Sequence, residues 1–344
     1  MHDRLPVILL LICALAGCTV NTHEPEQLDS LVFSAVASHS TKAIISTTNY
    51  PLDVAFVVEA VHYPGGTGEG KPFMTAEQVE YDSHEGLWKT KEIYFWPRNG
   101  KIVFYAGSPA SAVSISAERG VEADWSIPDE NHASTDLCFA EVEEPCKGHS
   151  AVVPIVFTHA LSQVCFKART LRHYSNSQTA DNLIQSNIIT VVLDSVKIGG
   201  IASEGHFSQI PLSWKPDAGS ATEYVVYNNK EGKILQCDRY DNPVLTHLNT
   251  MLLLPQTISG AAYIEEWHHC RVRTSITDSD TGEIVSDETY TVPKSSVTAL
   301  AGQSKLWAPG YKFTYRIAVG LEDTVISTAV TDWTETNEII PGDE

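Results

Sequence analysis

Basic side chains are scarce: 23 Lys and Arg stand against 43 Asp and Glu in 344 residues, for a formal net charge of −20. A field of that sign repels phosphate backbones and anionic head groups, so the composition speaks against a nucleic-acid partner. Methionine is nearly absent (3 residues) while Trp and Tyr number 7 and 13, a bias towards strands over long helices. The signatures of several enzyme classes are missing. There is no Gly-x-Ser-x-Gly elbow, and Pro109 after Ser108 removes a backbone N–H that an oxyanion hole would use. No phosphate-binding GxxxxGK[ST] or GxGxxG loop occurs, and no Cys-x-x-Cys pair suggests zinc. A hydrophobic content of 43% over this length is nonetheless enough for about two globular units, each with its own core.

The apolar run Leu5–Ala16, preceded by Arg4, is too short to span a bilayer and suits a secretory h-region. It ends in Leu15-Ala16-Gly17-Cys18. That string resembles the lipobox of bacterial lipoproteins, which implies cleavage before Cys18 and acylation of its sulfur. Acyl chains bind membranes at roughly 0.8 kcal/mol per buried methylene, so multiple acylation would anchor the chain. Removal of residues 1–17 takes away Asp3 and Arg4, one charge of each sign, and leaves the net charge at −20. Residues 18–30, with Glu24, Glu26 and Asp29, read as a solvated tether.

Of 7 cysteines, Cys13 leaves with the signal and Cys18 takes lipid; the odd remainder leaves at least one unpaired. Cys138 and Cys146 are spaced to close a short loop, and Cys165 reads as a core residue. His268-His269-Cys270 is the nearest approach to a ligand cluster, but strand neighbours face opposite ways, so no metal site or other cofactor is expected. Asp278-Ser279-Asp280-Thr281-Gly282 reads as a turn, and Glu141, Glu143 and Glu144 as a solvated loop.

From residue 31 the apolar residues recur every second position. Phe33, Ala35 and Ala37 form one such set; Leu52, Val54, Phe56, Val58 and Ala60 form another, with Asp53 and Glu59 on the opposite face. Asn99-Gly100 is a tight-turn signal before Ile102–Ala106, and residues 277–283 punctuate a hairpin. Later strands are expected within 152–169, 188–198, 270–276, 284–292, 311–319 and 325–333, and a short helix over 241–251. This pattern predicts an all-β chain of two tandem β-sandwich domains, 31–149 and 150–344. Trp88, Trp96, Phe104 and Tyr105 read first as core, and second as a sugar-stacking platform.

The order of short motifs carries a further resemblance. Tyr50-Pro51, Tyr94-Phe95-Trp96-Pro97, Phe104-Tyr105-Ala106, Phe157-Thr158-His159-Ala160-Leu161-Ser162, Ile198-Gly199-Gly200, Leu254-Pro255-Gln256, Trp307-Ala308-Pro309-Gly310-Tyr311 and Val330-Thr331-Asp332-Trp333 follow one another over residues 30–335. With the lipobox, this resembles the fimbrillin family, the lipoprotein-derived subunits of type V pili. The resemblance implies transthyretin-like sandwiches, no enzymatic activity, and a place on the outer membrane and in a fimbrium. It also implies pilus subunits as partners and assembly by donor-strand exchange after a trypsin-like cut removes the first strand. On this chain Leu31–Ala37 would be that strand, with Phe33, Ala35 and Ala37 facing the groove. Lys42-Ala43 would be the cut, since Lys42 is the sole basic residue between Cys18 and Tyr63 that could direct it. The donor would come from the strand within 324–333 or the one before it. A glycan-binding surface lipoprotein that does not polymerise is the alternative reading.

Overall fold

The computed structural model describes residues 29–37, 50–128, 135–170, 189–235, 246–277, 284–300, 306–320 and 324–332. Among them the only helical elements are short 3-10 turns, and no helix is long and apolar enough to cross a membrane. The expected all-β class is found.

The first sheet takes β1 (Phe33–Ala37), β2 (Phe56–Tyr63), β3 (Lys71–Asp82), β4 (Leu87–Thr90) and β5 (Lys101–Ser108). A short hairpin, β6 (Ser114–Ser116) and β7 (Gly120–Ser126), then leaves the sheet, and β8 (Cys138–Pro145) and β9 (Val153–His159) rejoin it. These strands close a seven-stranded barrel in the order β1-β4-β3-β2-β5-β8-β9, with β9 returning to β1. Where two separate sheets were expected, β1 bridges β4 and β9 and leaves no free edge. The barrel also runs through His159, ten residues past the expected division at 149/150, because β9 lies beside β1 and β8. The apolar stretch 152–169 is thus cut at Ala160-Leu161 into the last barrel strand and the first strand of the second half.

That second half contains β10 (Ser162–Thr170), β11 (Ile189–Ala202), the hairpin β12 (Glu204–Ser208) and β13 (Ser213–Pro216), and β14 (Ala221–Ile234). β15 (Thr246–Leu253), β16 (Tyr263–Thr277), β17 (Ile284–Ala299), β18 (Tyr311–Val319) and β19 (Thr324–Asp332) complete it. Two four-stranded sheets result, β15-β10-β18-β19 and β14-β11-β16-β17. Followed around the core, β10-β15-β14-β11-β16-β17-β18 repeats the succession of the first barrel, down to the parallel pair: β1 runs parallel to β9, and β10 to β18. Two seams differ. β3 and β4 are paired, whereas β14 and β15 lie in separate sheets; and β8 and β9 are paired at Cys138↔His159 and Phe139↔Thr158, whereas β18 pairs with β19 in place of β17. The second half is therefore an open sandwich.

Local sequence explains most of these elements. The β16–β17 hairpin places Thr277 opposite Ile284, as the turn signal between them requires. Gly100 has φ +84°, and a Cβ there would lie 2.0 Å from the Tyr63 carbonyl oxygen, so only glycine fits the turn into β5. The helix expected over 241–251 is not formed in its described part. Thr246–Leu253 is a strand whose buried residues, Met251 and Leu253, alternate, and which pairs with β10. A neighbouring edge has overridden the local helical spacing.

Each half has its own core. Phe33, Phe56, Phe104 and Phe157 lie in the first; Phe166, Tyr224, Trp307, Phe313 and Tyr315 lie in the second. The two excursions from the halves meet in a fourth sheet, β13-β12-β7-β6, where Phe207 faces Ala123 across the β12–β7 pair. Phe207 is fully buried, its ring 5.3 Å from those of both Phe139 and Trp214. Gln209 holds the Val121 backbone at both its polar groups: the side-chain Oε1 accepts from the Val121 N–H at 2.9 Å, and the Gln209 backbone N–H donates to the Val121 carbonyl at 2.9 Å.

Candidate functional site

β1 is held by its two neighbours very unequally. It pairs with β9 at all five positions, from Phe33↔Val153 to Ala37↔Phe157, but with β4 only at Phe33↔Trp88. Upstream, the Leu31 N–H donates to the Tyr94 carbonyl at 2.8 Å, and the Val32 carbonyl accepts from Val153 at 2.8 Å. The period-two pattern sends Leu31 and Phe33 into the barrel, with Phe33 fully buried and edge-on to Phe56 (6.3 Å) and Phe104 (5.8 Å). Ala35 packs at the margin of the same core. Without β1 its place would be a groove floored by Phe56 and Phe104, with Trp88 on one side and Val153, Ile155 and Phe157 on the other. Phe33 is thus fully buried in the first core and Ala35 packs against it. Cys18, Lys42 and Ala43 fall outside the described residues.

The other sequence candidates resolve differently. Trp88, Trp96 and Phe104 are buried in the first core and Tyr105 is half-buried, so these four residues read as core and not as an exposed stacking platform. Glu141, Glu143 and Glu144 lie on β8, not on a loop, and Glu143 pairs with Lys101 at 2.7 Å. Glu59, expected to face outward, is buried: its carboxylate accepts from the Ala76 N–H at 2.9 Å where β3 bulges against β2. The Asp278–Gly282 segment lies outside the described residues. The possible bridge between Cys138 and Cys146 is not formed; both are buried free thiols. Cys138 begins β8 and Cys146 follows its last residue. A strand of that length separates them by roughly 25 Å, far beyond disulfide reach. Cys165 is a buried core residue, as expected.

In the second core, His268 and Cys270 share the inward face of β16 while His269 points the other way, to Asp194 at 2.9 Å. His268 Nδ1 bonds the buried Glu266 carboxylate at 2.9 Å, and Glu266 also accepts from the hydroxyl of Thr324, the first residue of β19, at 2.7 Å. Burial works against a charge on His268, but hydrogen bonds to Cys270 and Glu266 outweigh it and raise its pKa to about 9.

A further cluster lies at the end of the β1–β9 pair. Cys138 and His159 are directly opposite across β8 and β9, and Asp136 precedes Cys138 by two residues. The Cys138 thiol donates to Asp136 Oδ2 at 3.3 Å, His159 Nδ1 lies 2.5 Å from the same oxygen, and the sulfur is 3.8 Å from Nδ1. Burial, reinforced by the negative charge of Asp136, pushes the Cys138 thiol well above its ordinary pKa. Beside it, Tyr50 hydrogen-bonds Ser108, the residue opposite Cys138 on β5. Sequence reading passed over this trio; only Asp-x-Cys, with a histidine closing the next strand, hinted at it.

A fimbrillin-like family model matches residues 58–333, well over half of the chain. In fold the chain is similar to a fimbrial protein from Bacteroides vulgatus ATCC 8482, with a TM-score of 0.61, 16% identity, and coverage of 88% of this chain and 99% of that one. It is also similar to a candidate cell adhesion protein from Bacteroides uniformis ATCC 8492, with a TM-score of 0.50, 14% identity, and coverage of 89% and 100%. At these identities the likeness is one of fold alone. No curated protein matches the sequence.

Proposed function

The chain belongs to the fimbrillin-like family of non-enzymatic fimbrial and adhesion proteins, and from that premise we propose that it is a pilus subunit assembled by donor-strand exchange. In this reading it is exported through the signal at residues 1–17, held on the outer membrane by lipid on Cys18, and built of two transthyretin-like units meeting at Ala160-Leu161. A cut after Lys42 releases β1, and a strand from a neighbouring subunit replaces it. The observation that carries the proposal is the mounting of β1: one deeply buried anchor, Phe33, and main-chain pairing almost wholly to one neighbour. Such a strand is replaceable by another of like pattern, because backbone hydrogen bonds supply affinity and alternate side chains supply register. β19 is a suitable donor: it alternates, buries Ile326, and pairs with β18 alone among the described strands.

The test is a chain that begins at Ala43. It should form concentration-dependent ladders on size-exclusion chromatography, while a chain from Thr19 stays monomeric. A folded, strictly monomeric Ala43 chain, unresponsive to added β19 peptide, would refute assembly by this route.

A further inference from the structure

We propose that Asp136, Cys138 and His159 form a zinc-binding site at the seam between the two halves of the molecule. The three side chains offer one carboxylate oxygen, one sulfur and one imidazole nitrogen, all within 4.8 Å of one another. Zinc takes this donor set in tetrahedral sites, at about 2.0 Å to nitrogen and oxygen and about 2.3 Å to sulfur. Those bond lengths separate the ligand atoms by about 3.3–3.5 Å. The observed separations of 3.3, 3.8 and 2.5 Å bracket that range, so a small opening of the His159–Asp136 contact would admit the ion.

The backbone sets up this convergence. Cys138 and His159 are Cα partners in the antiparallel β8–β9 pair, and the Ala160 N–H donates to the Leu137 carbonyl at 2.8 Å just beyond them. Asp136 Oδ1 is a second, independent sign: it is buried and has no hydrogen-bond partner. A buried carboxylate oxygen without a donor is costly unless something positive comes to it. Three protein ligands leave a fourth position for water, and the Asp136 side chain, 28% exposed, gives the ion a way in.

Binding replaces the thiol S–H bond by a Zn–S bond; the proton passes to solvent, and no electrons are exchanged. His159 coordinates through Nδ1 as neutral imidazole. The bound ion would clamp β8 to β9, where only two residue pairs now join them, and so stiffen the wall against which β1 lies. The site does not depend on strand exchange and would bind metal in a monomer.

The experiment uses the chain from Thr19, purified with reductant and titrated with cobalt(II) as a spectroscopic stand-in for zinc. One equivalent should give tetrahedral d–d absorption and a thiolate-to-cobalt charge-transfer band, both abolished by added zinc. Cys138→Ser should lose the charge-transfer band, whereas Cys146→Ser should keep it. Asp136→Asn and His159→Gln, which retain the thiol, should weaken cobalt binding at least about tenfold. Zinc should raise the melting temperature of the parent chain and leave that of His159→Gln unchanged. The proposal is overturned if the parent chain shows no charge-transfer band at equimolar cobalt. It is equally overturned if a folded Cys138→Ser chain keeps the band, or if zinc stabilises the parent and His159→Gln alike.

Discussion

At the scale of single residues, two side chains carry more than their neighbours. Phe33 is the one large anchor of β1, with no solvent exposure and two edge-on aromatic contacts. Phe33→Ala should cost about 3–5 kcal/mol in urea unfolding; a loss under about 1 kcal/mol would mean that β1 contributes little to the barrel. His268 sets a pH dependence. Its folded-state pKa, about 9, lies above the unfolded value near 6.5. The charged form is thus favoured by folding, and its contribution is complete below pH 6.5 and lost as pH rises through 9. Unfolding free energy should therefore fall between pH 6.5 and 9.5 by an amount on the order of 3 kcal/mol. His268→Gln should flatten that fall, and an identical slope in both chains would contradict the buried ion pair with Glu266. Neither role could be assigned from the residue alone: alternation identifies Phe33 as inward-facing, but the Glu266 carboxylate that bonds His268 is itself held by Thr324 from the distant β19.

At the scale of elements, the strands were legible where turn residues punctuated them, as at the β16–β17 hairpin. They were misread where pairing decided the outcome. Residues 246–251, the described part of the segment expected as a helix over 241–251, instead belong to β15, which pairs along the edge of β10. β1 invites a direct check. A peptide spanning Leu31–Ala37, added to the chain that begins at Ala43, should raise its melting temperature in proportion to the logarithm of peptide concentration and suppress ladder growth. The same peptide with Phe33→Glu should do neither, because a carboxylate cannot enter that pocket unpaired. Equal action of the two peptides would show that the vacated place is not read by side-chain pattern.

At the scale of the whole molecule, the two halves share one strand succession and are tied by the sheet of β6, β7, β12 and β13. Phe207 is central to that tie, buried between Phe139 and Trp214. The parent chain should therefore melt in a single calorimetric transition, whereas Phe207→Ala should separate it into two as the coupling of the halves weakens. A single transition retained at lower temperature would place the coupling elsewhere, in the short crossing at Ala160-Leu161.

Strand content, the positions of the tight turns, the inward facing of Phe33 and Ala35, and the order of motifs that places the chain among fimbrillin-like proteins all arise from local pattern. A period of two and a few obligatory turn residues are written in adjacent positions and need no distant partner to be read. Partner choice is not written that way. Closure of the barrel by β1 against β9, the joining of two excursions into one sheet, the burial of Glu59 at a bulge, and the meeting of Asp136 and Cys138 with His159 all depend on pairings between distant segments. Alternation shows which face of a strand is buried but is equally satisfied by many neighbours, so only packing of the complete chain selects among them.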